Sequence, residues 1–322
     1  MIEKILPNLY RVEVPLPQNP LKAVNSYVVK AADRSLVIDT GMNREESLRV
    51  LSSDLKELGI DFNKTDFFVT HLHADHLGLV SSFATATSVV YFNQEDAAIY
   101  NSIGYWEKVY DFARLNGVPA DVLGWVIENN PAIEYSSKGH LDFHILKEGE
   151  TIGIGDYLFR CIKTPGHSMG HTCLYEPSKR LFISGDHILG DITPNITLWS
   201  DNRDPLREYL ESLDKVYDLN VELVLPGHRG TFKDYRGRIQ ELKEHHETRA
   251  NEVVAILEKG SKNAYQVASQ MSWDMTYESW ELFPTSQKWF ATGEAITHLK
   301  YLEERGKLRR EIQKQGVVFS VK

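Results

Sequence analysis

The run His71-Leu72-His73-Ala74-Asp75-His76 sets three imidazoles and a carboxylate within six consecutive residues. Imidazole nitrogens and carboxylate oxygens suit borderline or hard divalent cations, so the pattern points to a metal centre and removes the need for a Ser or Cys nucleophile. Three shorter motifs add a donor each: Thr164-Pro165-Gly166-His167, Ser184-Gly185-Asp186 and Pro226-Gly227-His228. Each is weak alone. A Gly beside each of these donors is what a tight turn would need to aim a side chain inward.

Such donors must be held by a framework, and the chain supplies one. The apolar run before His71 (residues 67–70) reads as a strand, and so do the runs before His167 (157–163), Asp186 (181–184) and His228 (223–225). Further strands are expected at 9–14, 26–29, 36–41, 88–92 and 172–176. Helices interrupt them. Residues 45–58 put Leu48, Leu51 and Leu55 on one face, and Asp204-Pro205 opens a helix carrying Leu206, Tyr209, Leu210, Leu213 and Tyr217. Strands and helices therefore interleave, an α/β pattern.

The ordered set Asp39, His71-x-His73-x-Asp75-His76, His167, Asp186 and His228 resembles the metallo-β-lactamase superfamily over roughly the first 235 residues. That resemblance implies a four-layer αββα sandwich with the site along one edge, and two divalent metal ions. His71, His73 and His167 would bind one metal, Asp75, His76 and His228 the second, and Asp186 would bridge them. Asp39 would support the ligands from behind. The metals would lower the pKa of a bridging water, so that hydroxide serves as nucleophile near neutral pH, and Asp75 would also relay a proton. Zinc is the first expectation, with iron and manganese as alternatives. His171 competes with His167 for a ligand place, and His167 is preferred. His187 is read as supporting or structural, and His140, His144, His245, His246 and His298 as outside the site.

Departures narrow the activity. Antibiotic-hydrolysing members use a Cys or lack the acid where this chain has Asp186, so β-lactamase activity is not expected. The flavodiiron branch has Glu in place of His73. Glyoxalase II-like thioesterases share the ligands but carry a glutathione-binding tail with no counterpart here.

Between residues 95 and 143 the strand pattern gives way to a helical insert with Tyr100, Tyr105, Trp106, Tyr110, Phe112 and Trp125, read either as a packing layer or as a substrate lid. From residue 245 onward helices are expected at 250–257, 264–271 and 285–304, then a hairpin across Lys314-Gln315-Gly316. This tail resembles a winged-helix domain, giving a catalytic domain at 1–244 and a winged-helix-like domain at 245–322. Lys300, Arg305, Lys307, Arg309, Arg310 and Lys314 form a basic cluster there, but Glu303, Glu304 and Glu311 interrupt it, and Trp289, Phe290, Ile296, Leu299 and Leu302 fit a helix core.

The 322 residues, with 42% hydrophobic and 25% charged content, exclude a disordered or fibrous class. The net charge of -9 is uneven, because the tail carries 11 basic against 10 acidic residues. No segment reaches the roughly 18 apolar residues of a membrane span, and the start lacks a basic then apolar leader, so a cytoplasmic protein is expected. Cys161 and Cys173 are expected as free thiols. The expected activity is hydrolysis of a small-molecule ester, lactone or thioester. Alternatives are a single-strand endoribonuclease or phosphodiesterase, and a non-catalytic, metal-stabilised DNA-binding regulator. A homodimer is a further expectation.

Overall fold

The computed structural model describes residues 1–274 and 277–322. Two compact units emerge: Met1–Asn101, Pro131–Pro194 and Lys215–Arg238 make the first, and Ser102–Asn130, Asn195–Asp214 and Ile239–Lys322 the second.

The first unit holds two sheets. One has seven strands in chain order, β1 (Ile2–Leu6), β2 (Leu9–Pro15), β3 (Ala23–Lys30), β4 (Ser35–Ile38), β5 (Thr65–Phe68), β6 (Val90–Phe92) and β7 (Phe143–Ile145). The other contains β8 (Thr151–Ile154), β9 (Tyr157–Lys163), β10 (Thr172–Glu176), β11 (Leu181–Gly185) and β12 (Leu223–Pro226), in the order β12-β11-β10-β9-β8. Because side chains alternate along a strand, the first sheet feeds two cores. Tyr27, Val29, Leu36, Ile38 and Phe68 meet Phe159, Cys161, Leu174, Ile183 and Leu225 of the second sheet. Val28, Val37 and Phe67 turn the other way, onto Leu51 and Leu55 of the helix Glu45–Glu57. Both faces are thus dry, which explains why β4 and β5 are buried at every residue. Beyond the second sheet, Phe182 meets Tyr235 edge-on at 5.6 Å, and the Tyr235 hydroxyl donates to the Val216 carbonyl.

Strand direction places the site. β4, β5 and β6 run parallel. β9 and β11 are both antiparallel to β10, and β12 is parallel to β11, so β9, β11 and β12 share a direction too. The carboxyl ends of parallel strands are where loops carry function in open α/β sheets. Cys161 and Cys173 are free and buried, and burial raises both thiols, Cys161 to about 12.

Three strands escaped the sequence reading: β1, β7 and β8 are short and largely exposed on at least one face, so they lack a continuous apolar run.

The second unit is built mostly of helices. Tyr105–Leu115 and Ala120–Glu128, from the aromatic insert, bury Val109, Ala113, Val122 and Leu123 together with Trp289. Trp199 stacks on Trp289 with ring centroids 3.8 Å apart. The helix Ala264–Ala268 opens with an Asn263/Gln266 capping box that satisfies its free N–H groups. Together with the C-terminal part of Tyr235–Leu257 and with Thr285–Glu304, it packs Val253, Val267, Ala295 and Leu299 against Leu308, Val317 and Phe319. Those last residues lie on the antiparallel ribbon of β13 (Leu308–Gln313) and β14 (Gly316–Val321). Trp289, Ile296, Leu299 and Leu302 are buried as expected, whereas Phe290 is 42% exposed because it falls on the opposite side of its helix.

His246 and His298 form a buried pair, Nδ1 to Nε2 at 3.3 Å, and the other His298 nitrogen donates to the Glu294 carbonyl at 2.9 Å. Burial pushes both imidazoles down, His298 to about 4. The unfolded chain protonates its histidines near 6.5 while folded His298 stays neutral to about 4. Between those values the unfolded state binds more protons, so stability falls as pH is lowered. The pH slope of the unfolding free energy across this window should therefore flatten in His298→Gln by about 1.4 kcal/mol per pH unit at most. Equal slopes in denaturant titrations of the two proteins would contradict the argument.

Candidate metal centre

Five strand ends deliver the sequence-predicted residues to one place in the first unit. Asp39 follows β4, the 71–76 run follows β5, His167 follows β9, Asp186 follows β11 and His228 follows β12. Among the described residues, three groups of donors could each hold a cation: His71, His73 and His167; His71, His76 and Asp186; Asp75, His76 and His228. The donor atoms within each group lie within 4.8 Å of one another.

In the first group His71 Nε2, His73 Nδ1 and His167 Nε2 stand 2.9 to 3.2 Å apart. The other His71 nitrogen is 3.0 Å from Thr70 Oγ1. Thr70 Oγ1 donates to Asp39, so it accepts from His71 Nδ1–H and leaves the His71 Nε2 lone pair facing the triangle. Toward the second group, His76 Nδ1 lies 2.7 Å from Asp39 Oδ2 and His228 Nδ1 donates to the Ala23 carbonyl at 2.7 Å. Their Nε2 atoms, together with Asp186 Oδ1, are buried without a hydrogen-bond partner. His228 Nε2 is 3.4 Å from Asp75 and 3.3 Å from Asp186, and His76 Nε2 is 3.5 Å from Asp186. Unsatisfied buried polar atoms are rare and costly. Here they converge, as a coordination shell requires, and each imidazole is oriented through its other nitrogen.

The charges tell the same story. Burial opposes ionising Asp186 and Asp75, but His228 and His76 hold both carboxyls well below the usual range. Burial likewise opposes charging His76 and His228, yet Asp39, Asp186 and Asp75 raise His76, and Asp186 and Asp75 carry His228 to about 10. His71 and His73 go the other way, lowered by burial and by neighbouring imidazoles, His73 to about 3. Two anions in a dry site thus gather protons where a divalent cation would do the same work, while the three-histidine corner stays neutral and donor-ready.

Asp39 adopts a left-handed conformation, φ 57°, uncommon for a residue with a side chain. Its carboxylate compensates by accepting from the Thr70 amide and hydroxyl and from His76. The glycines divide by role. Gly166 and Gly185 occupy positive φ, as a tight turn requires, but Gly227 is there for room: a Cβ would lie 2.3 Å from Asp186 Oδ1.

His171 has a different task from His167. Its Nε2 accepts the Asp186 amide at 3.1 Å and its Nδ1 is 2.8 Å from Thr164 Oγ1, so its lone pair is already used. Buried His187 lies beside it, with ring centroids 6.1 Å apart. Thr70, Thr164 and Asp96 were not singled out by sequence, since a hydroxyl or carboxyl that orients a ligand carries no spacing signature of its own.

Residues 19–228 match the family model of the metallo-beta-lactamase superfamily, and residues 251–320 match that of the metallo-beta-lactamase-like C-terminal domain. The chain belongs to the metallo-beta-lactamase superfamily. It is 28% identical over 288 residues to the protein named "Probable metallo-hydrolase YqjP" of Bacillus subtilis, covering 86% of both chains. It is 23% identical over 263 residues to an atrochrysone carboxyl ACP thioesterase of Emericella nidulans, covering 82% of this chain and 69% of that one. A metallo-beta-lactamase family protein from Thermus thermophilus superposes with a TM-score of 0.85 at 29% identity, over 99% of this chain and 100% of the other. This chain is thus a hydrolase of that superfamily, and its His and Asp clusters could bind metal.

The two histidines of the 167–171 loop should separate cleanly. His167→Ala is expected to lower bound divalent metal by about one ion per chain, since it removes one of the three imidazoles whose nitrogens face one another. In His171→Gln the side-chain carbonyl can still accept the Asp186 amide, and metal content should stay near wild type. Elemental analysis showing the reverse ranking would reassign the ligand.

Proposed function

We propose that this chain is a dinuclear, metal-dependent hydrolase of a small-molecule ester, lactone or thioester. The observation that carries the reading is the convergence of buried, partnerless Nε2 atoms of His76 and His228 on Asp186 and Asp75, beside the three-imidazole corner. His71, His73 and His167 would hold one ion, Asp75, His76 and His228 the other, with Asp186 shared. Bound there, divalent ions, zinc first among them, supply an activated water and polarise the acyl oxygen. The protein's own residues do the rest. Asp39 and the Ala23 carbonyl fix the rings of His76 and His228. Asp75, whose side chain remains 13% exposed, receives and returns a proton at its carboxylate.

An acyl substrate is favoured by the thioesterase among the relatives and by the acidic balance of the chain. We read the three helices and ribbon of the second unit as winged-helix-like, and the protein as cytoplasmic with a capacity to pair with a second copy. No described helix is long and apolar enough to cross a membrane. Nucleic acid is the weaker partner: Arg310 is tied to Asp201 and Glu303, and Lys300 to Asp201 and Glu304, so two of the six cations are already neutralised.

Metal-loaded enzyme should hydrolyse members of a panel of acyl thioesters, lactones and esters, lose this turnover to a chelator, and leave single-stranded RNA intact. Asp75→Asn should lower turnover by about 10²-fold or more. RNA cleavage without acyl hydrolysis, accompanied by RNA binding that weakens steeply with salt, would replace this reading with a nuclease.

A further inference from the structure

Asp96 lies outside every ligand motif, yet its carboxylate is fully buried and is surrounded by donors from three segments of the first unit. Oδ2 accepts from the Leu72 amide at 3.1 Å, the Ser168 hydroxyl at 2.8 Å and Asn93 Nδ2 at 3.3 Å, and Oδ1 accepts from the Gly170 amide at 2.9 Å. Leu72 is the residue between His71 and His73. Ser168 is the residue after His167. A single carboxylate thus ties together the two backbone segments that carry these three histidines, while none of these bonds reaches Asp75, His76 or His228.

The segment holding Asp96 is itself anchored at its start. Asn93 caps the helix Gln94–Tyr100 by accepting the Asp96 amide at 2.7 Å. Gly170 abuts that cap so closely that a Cβ would lie 1.6 Å from Asn93 Oδ1. A neutral carboxamide at residue 96 could not serve the same donors, because its NH₂ would face either the Leu72 amide and Asn93 Nδ2 or, turned over, the Gly170 amide. Removing a buried carboxylate that serves several donors leaves those donors unpaired, which is costly.

We infer that Asp96 is a positioning residue for the first metal site alone, holding the His71-x-His73 segment and the His167 loop at the separation that lets three imidazoles share one ion. This rests on the metal reading above. It predicts a selective defect: displaced backbone at Leu72 and Gly170 weakens one ion and spares the other.

The test titrates metal-stripped full-length protein with cobalt(II) against a competing chelator, following the visible ligand-field absorption and the stoichiometry. Wild type should bind two ions. Asp96→Asn should retain one at near wild-type affinity and bind the other about 10- to 100-fold more weakly. Asp66→Asn is the control for general damage: Asp66 is a buried carboxylate near the start of β5 that accepts from Arg34 and the Val89 amide and, unlike Asp96, accepts nothing from the 71–73 or 167–170 segments. It should lower the melting temperature and leave both cobalt affinities unchanged. If Asp96→Asn fails to fold, Ser168→Ala, which removes one donor, should weaken the same single ion several-fold. Wild-type-like binding in the foldable variant, or equal weakening of both ions, overturns the positioning role while the metal reading stands. A wild type that binds no cobalt overturns the metal reading and this inference with it.

Discussion

Two ionised carboxylates, Asp75 and Asp186, stand among the imidazoles of His71, His73, His76, His167 and His228 and beside the carboxylate of Asp39 in a place where water hardly reaches, and the architecture of the first unit follows from the need to neutralise them. An isolated charge removed from water is strongly unfavourable unless paired. The cationic partners available are His76 and His228, each held by one nitrogen to a fixed acceptor, Asp39 or the Ala23 carbonyl, and each presenting the other inward. A divalent cation satisfies the same constraint more completely, because it can meet Asp186 and the neutral His71, His73 and His167 as well.

Holding such a constellation requires backbone that is both sharply turned and immobile. The sheets supply immobility: β4 and β5 are buried at every residue, and their side chains alternate between an inter-sheet core and a helix-covered core. The turns occur where the strands end. The left-handed Asp39, positive-φ Gly166 and Gly185, and the cramped Gly227 all fall there. Strain at a functional site is tolerated when surrounding bonds over-determine it, as Thr70 and His76 do for Asp39.

Much of this was legible in the sequence because metal chemistry leaves a local mark. Three His and an Asp in six residues, and single donors after apolar runs, can be read without knowing the fold, and each long buried strand announces itself by its Val, Ile and Phe content. The relay from Thr164 through His171 to the Asp186 amide could not be read this way, nor could the bonds from Asp96 to Leu72 and Gly170. These contacts join residues 7 to 74 positions apart and use ordinary residues. The same limit applies to the aromatic helices of residues 105–128. Their periodicity marks an apolar face, but nothing in it names Trp289 as the residue they bury. Phe290 shows the converse error: hydrophobic character alone suggested a core position that helical phase denies it.

The central claim is that one pocket of side chains in the first unit binds a pair of divalent ions. Anomalous X-ray diffraction from crystals of zinc-loaded protein, collected above and below the zinc edge, tests it most directly. The account predicts one peak among His71, His73 and His167 and another among Asp75, His76 and His228, with Asp186 between them. An absence of zinc from these residues in fully loaded crystals, or zinc bound only at exposed histidines such as His140 and His144, would contradict it.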